Sequence, residues 1–239
     1  MKQTDVDQGK IWEHFQNEGI DSFSQSRGRL EFLVRRLSPG LRVLNIGVGN
    51  GTFEALSLRK GLDVWSLDPS ERAIARLRQE LALGEKAQVG FSQSIPFPDE
   101  HFDAVIMSEV LEHLDDLVLE ATLSEIHRVL RRDGMFLGTV PARENLADSH
   151  VVCPHCAHQF HRWGHQRSFD VAGLSRVLNH KFRLVEVGEH FFVDWGSVGW
   201  WRKLQGLVKK LLSWRGIGTY GVCRNIFFLV RKLAKTTMA

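Results

Sequence analysis

From Leu41 onward, strand-like and helix-like segments alternate along the chain, and no other feature narrows the choice of fold so far. Apolar runs such as Arg42-Val-Leu-Asn-Ile46 and Asp63-Val-Trp-Ser-Leu67 read as buried strands, and each leads into a stretch with helical spacing. That order specifies a parallel sheet covered by helices. Strands are predicted over 42–46, 63–67, 87–91, 102–107, 135–140, 182–187 and 225–230. Helices are predicted over 29–37, 53–60, 70–83 and 170–178. A further helix starts at Asp115 or Asp116, carries Leu119, Leu123, Ile126 and Leu130 on one face, and is predicted to stop at Gly134. The fold class is therefore α/β, with a doubly wound, mostly parallel seven-stranded sheet and helices on both faces.

The first strand runs straight into Gly47-Val-Gly49-Asn-Gly51 and then into a helix. Glycines let backbone approach a ligand closely, and a helix N-terminus offers free N–H groups at the positive end of its dipole. The second strand ends at Asp68-Pro69, where a carboxylate can accept hydrogen bonds from the two hydroxyls of a ribose. Dinucleotide-binding loops set their third glycine three positions after the second. Here Gly51 follows Gly49 by two, and the loop holds no basic residue for a pyrophosphate, which argues against a nucleotide-dependent reductase.

The stretch Val43-Leu-Asn-Ile-Gly-Val-Gly-Asn-Gly51 resembles the first motif of class I S-adenosylmethionine-dependent methyltransferases. Residues 94–114, Ser-Ile-Pro-Phe-Pro-Asp-Glu-His-Phe-Asp-Ala-Val-Ile-Met-Ser-Glu-Val-Leu-Glu-His-Leu, are similar to that family around its fourth strand. Residues 125–134, ending Arg-Arg-Asp-Gly, resemble its approach to the fifth. The resemblance implies a Rossmann-like sheet with S-adenosyl-L-methionine as cofactor. It places Gly47, Gly49 and Gly51 beneath the methionine and ribose, Asp68 on the ribose, and Pro69 and Ser70 beside the adenine. Gln93, Ser94 and Ile95 would form the adenine rim, while Ser108 and Glu109 would close over the methionine end. Asn45 stands where the family usually has Asp, and Phe91 or Ser92 stands where an Asp often reads the adenine amino group.

A hydroxyl acceptor needs a base, for which His113, His150, His165 and His190 qualify by residue type. Glu109, Glu112 and His113 share i, i+3, i+4 spacing that suits a divalent ion, although a solvated helix face is the favoured reading.

Between 142 and 168 the regular alternation stops. Cys153-Pro-His-Cys156 forms a knuckle suited to tetrahedral zinc, and His161 and His165 add a second pair, so Cys153, Cys156, His161 and His165 are the predicted ligands of a structural zinc. His155 and His158 are alternatives, and the same segment without metal is the competing reading. It resembles a Cys/His insertion found after the fifth strand in some bacterial class I methyltransferases.

Residues 1–40 are expected to be a helical cover, and 41–239 the methyltransferase-like domain with its insertion at 142–168. The net charge of +3 hides an asymmetry: from Gly196 onward there are nine Lys or Arg and no Asp or Glu. Over 199–215, Trp200, Leu204, Leu207, Val208, Leu211 and Leu212 share one face of a basic amphipathic helix, which either packs on the domain or rests on an anionic membrane surface. No recognised nucleic-acid motif accompanies these charges, so no nucleic-acid partner is expected. No apolar run is long enough to span a bilayer, the first ten residues lack an apolar signal region, and three cysteines cannot build a disulfide framework. A cytoplasmic protein is expected, peripheral at the inner membrane face if the tail binds lipid. The predicted activity is methyl transfer to a small-molecule, carbohydrate or lipid-linked glycan acceptor. The alternative is a non-catalytic cofactor sensor with a zinc flap as partner surface.

Overall fold

A computed structural model describes residues 8–17, 26–192 and 224–233. The basic helix predicted over 199–215 lies outside the described residues. Among the described residues, nine strands run in chain order as β1 (Arg42–Ile46), β2 (Asp63–Asp68), β3 (Ala87–Val89), β4 (Phe102–Ser108), β5 (Leu130–Pro141), β6 (His150–Val152), β7 (Gln159–His161), β8 (Phe182–His190) and β9 (Asn225–Lys232). The described helices are α1 (Gln8–Asn17), α2 (Arg27–Arg35), α3 (Thr52–Arg59), α4 (Glu71–Glu80), α5 (Asp116–Val129) and α6 (Val171–Asn179). Seven of these strands form one sheet in the order β3-β2-β1-β4-β5-β9-β8, in which β9 pairs antiparallel with both β5 and β8 and the other pairings are parallel. This is the doubly wound, mostly parallel arrangement that the alternating pattern predicts. β6 and β7 form a separate antiparallel hairpin.

The central strands are apolar on both faces because both faces are covered. Val43 packs with Leu33, Phe53, Ile106 and Phe227 on the side of α2 and α3. Its neighbour Leu44 packs with Leu123, Ile126, Leu174 and Phe228 on the side of α5 and α6. Side-chain caps set where helices begin: Ser70 accepts from the Ala73 amide, Asp115 from Val118 and Asp170 from Gly173. Each such cap contributes about 1 kcal/mol.

Gly134 does not stop α5. The helix ends at Val129, and Leu130 already pairs with Phe102 before the register shifts and Met135 pairs with Ala104. Residues 131–134 therefore bulge within β5. A Cβ on Gly134 would sit 2.9 Å from the Arg131 carbonyl oxygen, so the glycine serves a close backbone approach inside a strand. α4 also ends early, at Glu80, and Gly84 opens a short 3-10 turn (Gly84–Lys86).

β1 lies between β2 and β4, where successive connections leave toward opposite ends of the sheet. In open sheets of this kind the crevice at the carboxyl ends of the strands flanking such a reversal is where ligands bind.

Candidate functional site

The loop after β1 is held open by backbone geometry. Gly47, Gly49 and Gly51 all have positive φ, at 86°, 52° and 81°. A Cβ on Gly47 would come within 2.7 Å of Val110 Cγ2, and one on Gly51 within 2.8 Å of Leu77 Cδ2. Both positions thus require glycine by conformation and by space. Gly51 is also the residue from which α3 begins.

Asp68 closes this loop from the neighbouring strand. Its carboxylate is buried and accepts from the Val48 amide at 2.9 Å and the Ser70 amide at 2.8 Å. The predicted ribose anchor is therefore also the clasp between the glycine loop and the start of α4. Pro69 beside it is exposed, and Ser70 caps α4.

Beneath the loop, buried Asn45 donates from Nδ2 to Glu54 Oε1 at 2.7 Å, and Ser66 Oγ donates to the same oxygen at 3.0 Å. Burial pushes the Glu54 carboxyl up to about 7, against the lowering effect of these hydrogen bonds. An Asp at position 45 would set a second carboxylate against a buried acid, which gives the amide found there a physical reason.

Gln93 and Ser94 are exposed on the turn after β3, while Ile95 is buried. The Ile95 backbone is pinned on both sides: its amide donates to Glu125 Oε2 at 2.8 Å, and its carbonyl accepts from Arg128 Nη2 at 2.8 Å. Ser92 Oγ lies 2.8 Å from Thr122 Oγ1, and Phe91 is exposed.

At the end of β4, Ser108 Oγ lies 2.9 Å from Thr139 Oγ1 and accepts from Arg29 Nε at 3.0 Å. Glu109 has φ of 59°, a conformation uncommon for residues other than glycine. Its Oε2 accepts from Asn225 Nδ2 at 2.9 Å and lies 3.9 Å from Arg29 Nη1, while its buried Oε1 has no hydrogen-bond partner among the described residues. Arg29, Thr139 and Asn225 were not singled out in the sequence, because they reach this point from a flanking helix and from two other strands.

Glu112 and His113 do not lie on a solvated helix face. They occupy a 3-10 turn (Leu111–His113) in which Glu112 is buried. His113 Nδ1 is 3.3 Å from both Trp12 Nε1 of α1 and the Gly164 carbonyl oxygen. Burial, reinforced by nearby His165, pushes the His113 ring down to about 3. It is therefore a poor proton acceptor near neutral pH. Of the other histidines considered as bases, His150 is exposed on β6 opposite His161, and His190 contacts Phe32, Phe192 and Phe227 at the end of β8.

The Cys/His connection docks on this turn. The amides of Gln166 and Arg167 both donate to the Glu112 carbonyl, and Arg167 Nε donates to Leu114 O at 2.8 Å. The four residues predicted to share a zinc ion lie in two places. Cys153 and exposed Cys156 sit in the turn of the β6–β7 hairpin, where the Cys153 amide donates to His158 O. The Cys156 and His155 backbone amides draw the Cys153 thiol below its usual value. His161 and His165 turn inward instead, onto Glu144: His165 Nδ1 lies 2.5 Å from Glu144 Oε2 and His161 Nε2 lies 3.4 Å from Glu144 Oε1. Burial works against charge on Glu144, yet the hydrogen bond and the two rings hold its carboxyl below the ordinary value. Among the described residues, the His, Cys, Asp and Glu side chains that gather closely are Glu112–His113–His165 and Glu144–His161–His165, and neither group includes a cysteine.

Comparison with known proteins fits this geometry. Residues 44–138 match the family described as Methyltransferase domain. YrhH of Bacillus subtilis (strain 168), a protein named as a methyltransferase, is 37% identical over 102 residues, spanning 40% of this chain and 54% of that protein. The chain thus spans about half the length of the curated relatives it matches. Among solved structures, the 1,6-didemethyltoxoflavin-N1-methyltransferase of Burkholderia thailandensis, with bound S-adenosylhomocysteine, superposes with a TM-score of 0.63 at 18% identity, covering 95% of this chain and 87% of that one. The [4+2]-cyclase SpnF superposes with a TM-score of 0.58 at 19% identity, covering 86% and 81%. The part of the chain from β1 into β5, which carries the glycine loop, Asp68 and Glu109, is therefore the part similar to the methyltransferase-domain family, set in a Rossmann-like α/β sheet.

Proposed function

We propose that the chain is an S-adenosylmethionine-dependent methyltransferase acting on a small-molecule, carbohydrate or lipid-linked glycan acceptor. The observation that carries the reading is the meeting of three left-handed glycines with the Asp68 carboxylate at the carboxyl edge of β1 and β2. The residues fit the cofactor in two further respects. Gly47 holds the left-handed turn that carries the loop past Val110, where a side chain would clash, and Oε1 of Glu109, without a hydrogen-bond partner among the described residues, is a buried acceptor suited to the ammonium of the methionine part. The bound cofactor supplies a methyl group on a cationic sulfonium, open to direct displacement by a nucleophile.

The chain's own contribution is positioning, which supplies much of the rate in such a displacement. Asp68 would take the ribose hydroxyls while its backbone clasp holds the loop. Pro69 and the Gln93–Ile95 turn, braced by Glu125 and Arg128, would flank the adenine. Ser108 and Glu109, tied to Arg29, Thr139 and Asn225, would fix the methionine end, and Asn45 supports the loop from below. His113, with its ring proton affinity so depressed, does not act as the base.

Calorimetric titration with S-adenosylmethionine, followed by detection of S-adenosylhomocysteine over an acceptor panel, tests the reading. Absence of cofactor binding by the intact chain overturns it. The second reading is a chain that binds the cofactor in the same pocket without transferring its methyl group. Tight binding with no turnover across the panel selects that reading. The five basic residues of the 199–215 stretch, Arg202, Lys203, Lys209, Lys210 and Arg215, support a peripheral contact with an anionic membrane at the cytoplasmic face, which sedimentation with anionic liposomes tests. Among the described residues no helix is long and apolar enough to cross a membrane.

A further inference from the structure

Glu112 presents an unresolved charge. The residue is 1% exposed, and among the described residues neither carboxylate oxygen has a hydrogen-bond partner. A bare carboxylate in the interior is among the costliest arrangements a fold can hold, and it calls for a proton or a cation. Three carboxylates, Glu109, Glu112 and Glu144, face this corner, and the guanidinium on hand is Arg29, which lies 3.9 Å from Glu109. The other charges nearby are paired outward, Arg167 with Asp116 and Arg143 with Glu189. Among the described residues Glu112 thus has neither a hydrogen-bond donor nor an ion pair, a place that a cation can fill.

Hydrogen bonding then discriminates between the two clusters that share His165. His161 Nδ1 accepts from the amides of Trp163 at 3.3 Å and His165 at 3.1 Å. Its proton therefore sits on Nε2, facing Glu144, and that nitrogen has no lone pair to offer an ion. His165 is the reverse: its Nδ1 meets the Glu144 carboxylate, so the proton lies there and Nε2 keeps its lone pair. His113 can take the same state by donating from Nδ1 to Gly164 O, at the expense of the contact from Trp12. A ring nitrogen tied to a carboxylate or carbonyl, with its partner nitrogen left free, is the habitual arrangement of a metal-bound histidine.

We infer that Glu112, His113 and His165 form a binding site for a divalent transition-metal ion of the zinc class, with Glu144 orienting His165 and His161 bracing Glu144. The three side chains offer ligand atoms within 4.8 Å of one another. Zinc bonds of about 2.0–2.2 Å need only a modest contraction of that group. Two imidazoles and one carboxylate favour zinc, cobalt or ferrous ion over magnesium or calcium, which prefer oxygen alone. Three protein ligands leave a coordination position open to water or an acceptor oxygen, unlike the closed Cys/His site expected from the sequence. The turn carrying Glu112 follows directly on the end of β4, so this open position adjoins the methionine end of the proposed cofactor site.

The test uses the full chain, made without a histidine tag and stripped with a chelator, then titrated with Co2+ and Zn2+ by absorption spectroscopy and calorimetry. S-adenosylmethionine binding is measured separately without added metal, so failure of the metal site and failure of the cofactor reading are distinguishable. The expected result is one ion per chain and a cobalt spectrum of nitrogen and oxygen ligands without a thiolate charge-transfer band. Glu112→Gln and His165→Gln, checked for folding by circular dichroism, should each weaken zinc at least about tenfold. The double variant Cys153→Ser, Cys156→Ser should bind as the unaltered chain does. A thiolate band, loss of binding in the cysteine variant, unchanged binding in both Glu112→Gln and His165→Gln, or no uptake by the unaltered chain would each overturn the assignment. The cobalt spectrum of the unaltered chain decides between cysteine and histidine–carboxylate ligation without depending on any variant's folding.

Discussion

Asn45 Nδ2 donates to Glu54 Oε1 across 2.7 Å, joining the strand beneath the glycine loop to the helix that follows it, with both side chains buried. Burial raises the Glu54 carboxyl to about 7, so the native chain keeps this proton longer than the unfolded chain does. The linked stability is fully present below about pH 4.5 and is lost as pH rises through 7, a change on the order of 3 kcal/mol. Glu54→Gln should keep both accepted hydrogen bonds and remove this dependence. Urea denaturation at pH 5 and pH 8 is expected to show a smaller loss for the variant than for the unaltered chain. Asn45→Asp should destabilise by about 3 kcal/mol at pH 8 and much less at pH 5.

The loop glycines separate stability from binding. Gly47→Ala forces a methyl to within 2.7 Å of Val110 and a side chain into a left-handed backbone. A destabilisation of about 1–3 kcal/mol is expected, with cofactor affinity falling more than about tenfold. Thermal unfolding and calorimetric titration of the same sample read the two effects.

For Asp68, the two backbone amides on its carboxylate make alanine a poor probe, since it would release the loop as well as the ribose. Asp68→Asn retains one acceptor oxygen. Because Val48 donates to Oδ2 and Ser70 to Oδ1, the new amide nitrogen faces one of these N–H groups donor against donor, and a loss of about 1–3 kcal/mol is expected beside a weakening of S-adenosylmethionine by about tenfold or more. Lost stability on urea denaturation with unchanged affinity in calorimetric titration would assign Asp68 a purely structural part.

Arg128 ties the adenine rim to α5 through Glu125, Asp99 and the carbonyls of Ile95 and Phe97. Arg128→Leu is expected to free the Gln93–Ile95 turn and raise the KM for the cofactor several-fold, with kcat little changed. Steady-state kinetics on an active acceptor distinguish this from loss of a group that acts on the transferring methyl.

Gly138 is the least replaceable residue of β5. A Cβ there would fall 1.8 Å from the Met107 carbonyl oxygen and 2.9 Å from the Phe228 ring. Gly138→Ala should cost at least about 3 kcal/mol or abolish soluble expression, because backbone on a paired strand cannot move aside. Chemical denaturation checks it.

Much of this architecture is legible along the chain because local patterns decide it. Val43 and Leu44 alternate between two cores, and the Gly47–Gly51 run and Asp68 follow from strand ends that carry their own turn chemistry. What is not legible depends on distant partners. Ser108 meets Arg29 across 79 positions and Glu109 meets Asn225 across 116, and neither pairing has a local signature. Gly134 looks like a helix stop because α5 and β5 are separated by no loop at all, so helical spacing continues through Leu130 after the backbone has already turned extended. The cysteine pair and the histidine pair invite a single ion by spacing, yet a two-stranded hairpin carries them to different places.

The docking of the Cys/His connection through two amides on the Glu112 carbonyl has a practical corollary for anyone recombining such proteins. Half of that seam belongs to the connection and half to residues 112–116, with Arg167 bridging to Leu114 and Asp116. A graft of residues 142–168 onto another scaffold of this shape would arrive without its landing site. The two stretches behave as one transplantable unit despite the helix and strand that separate them.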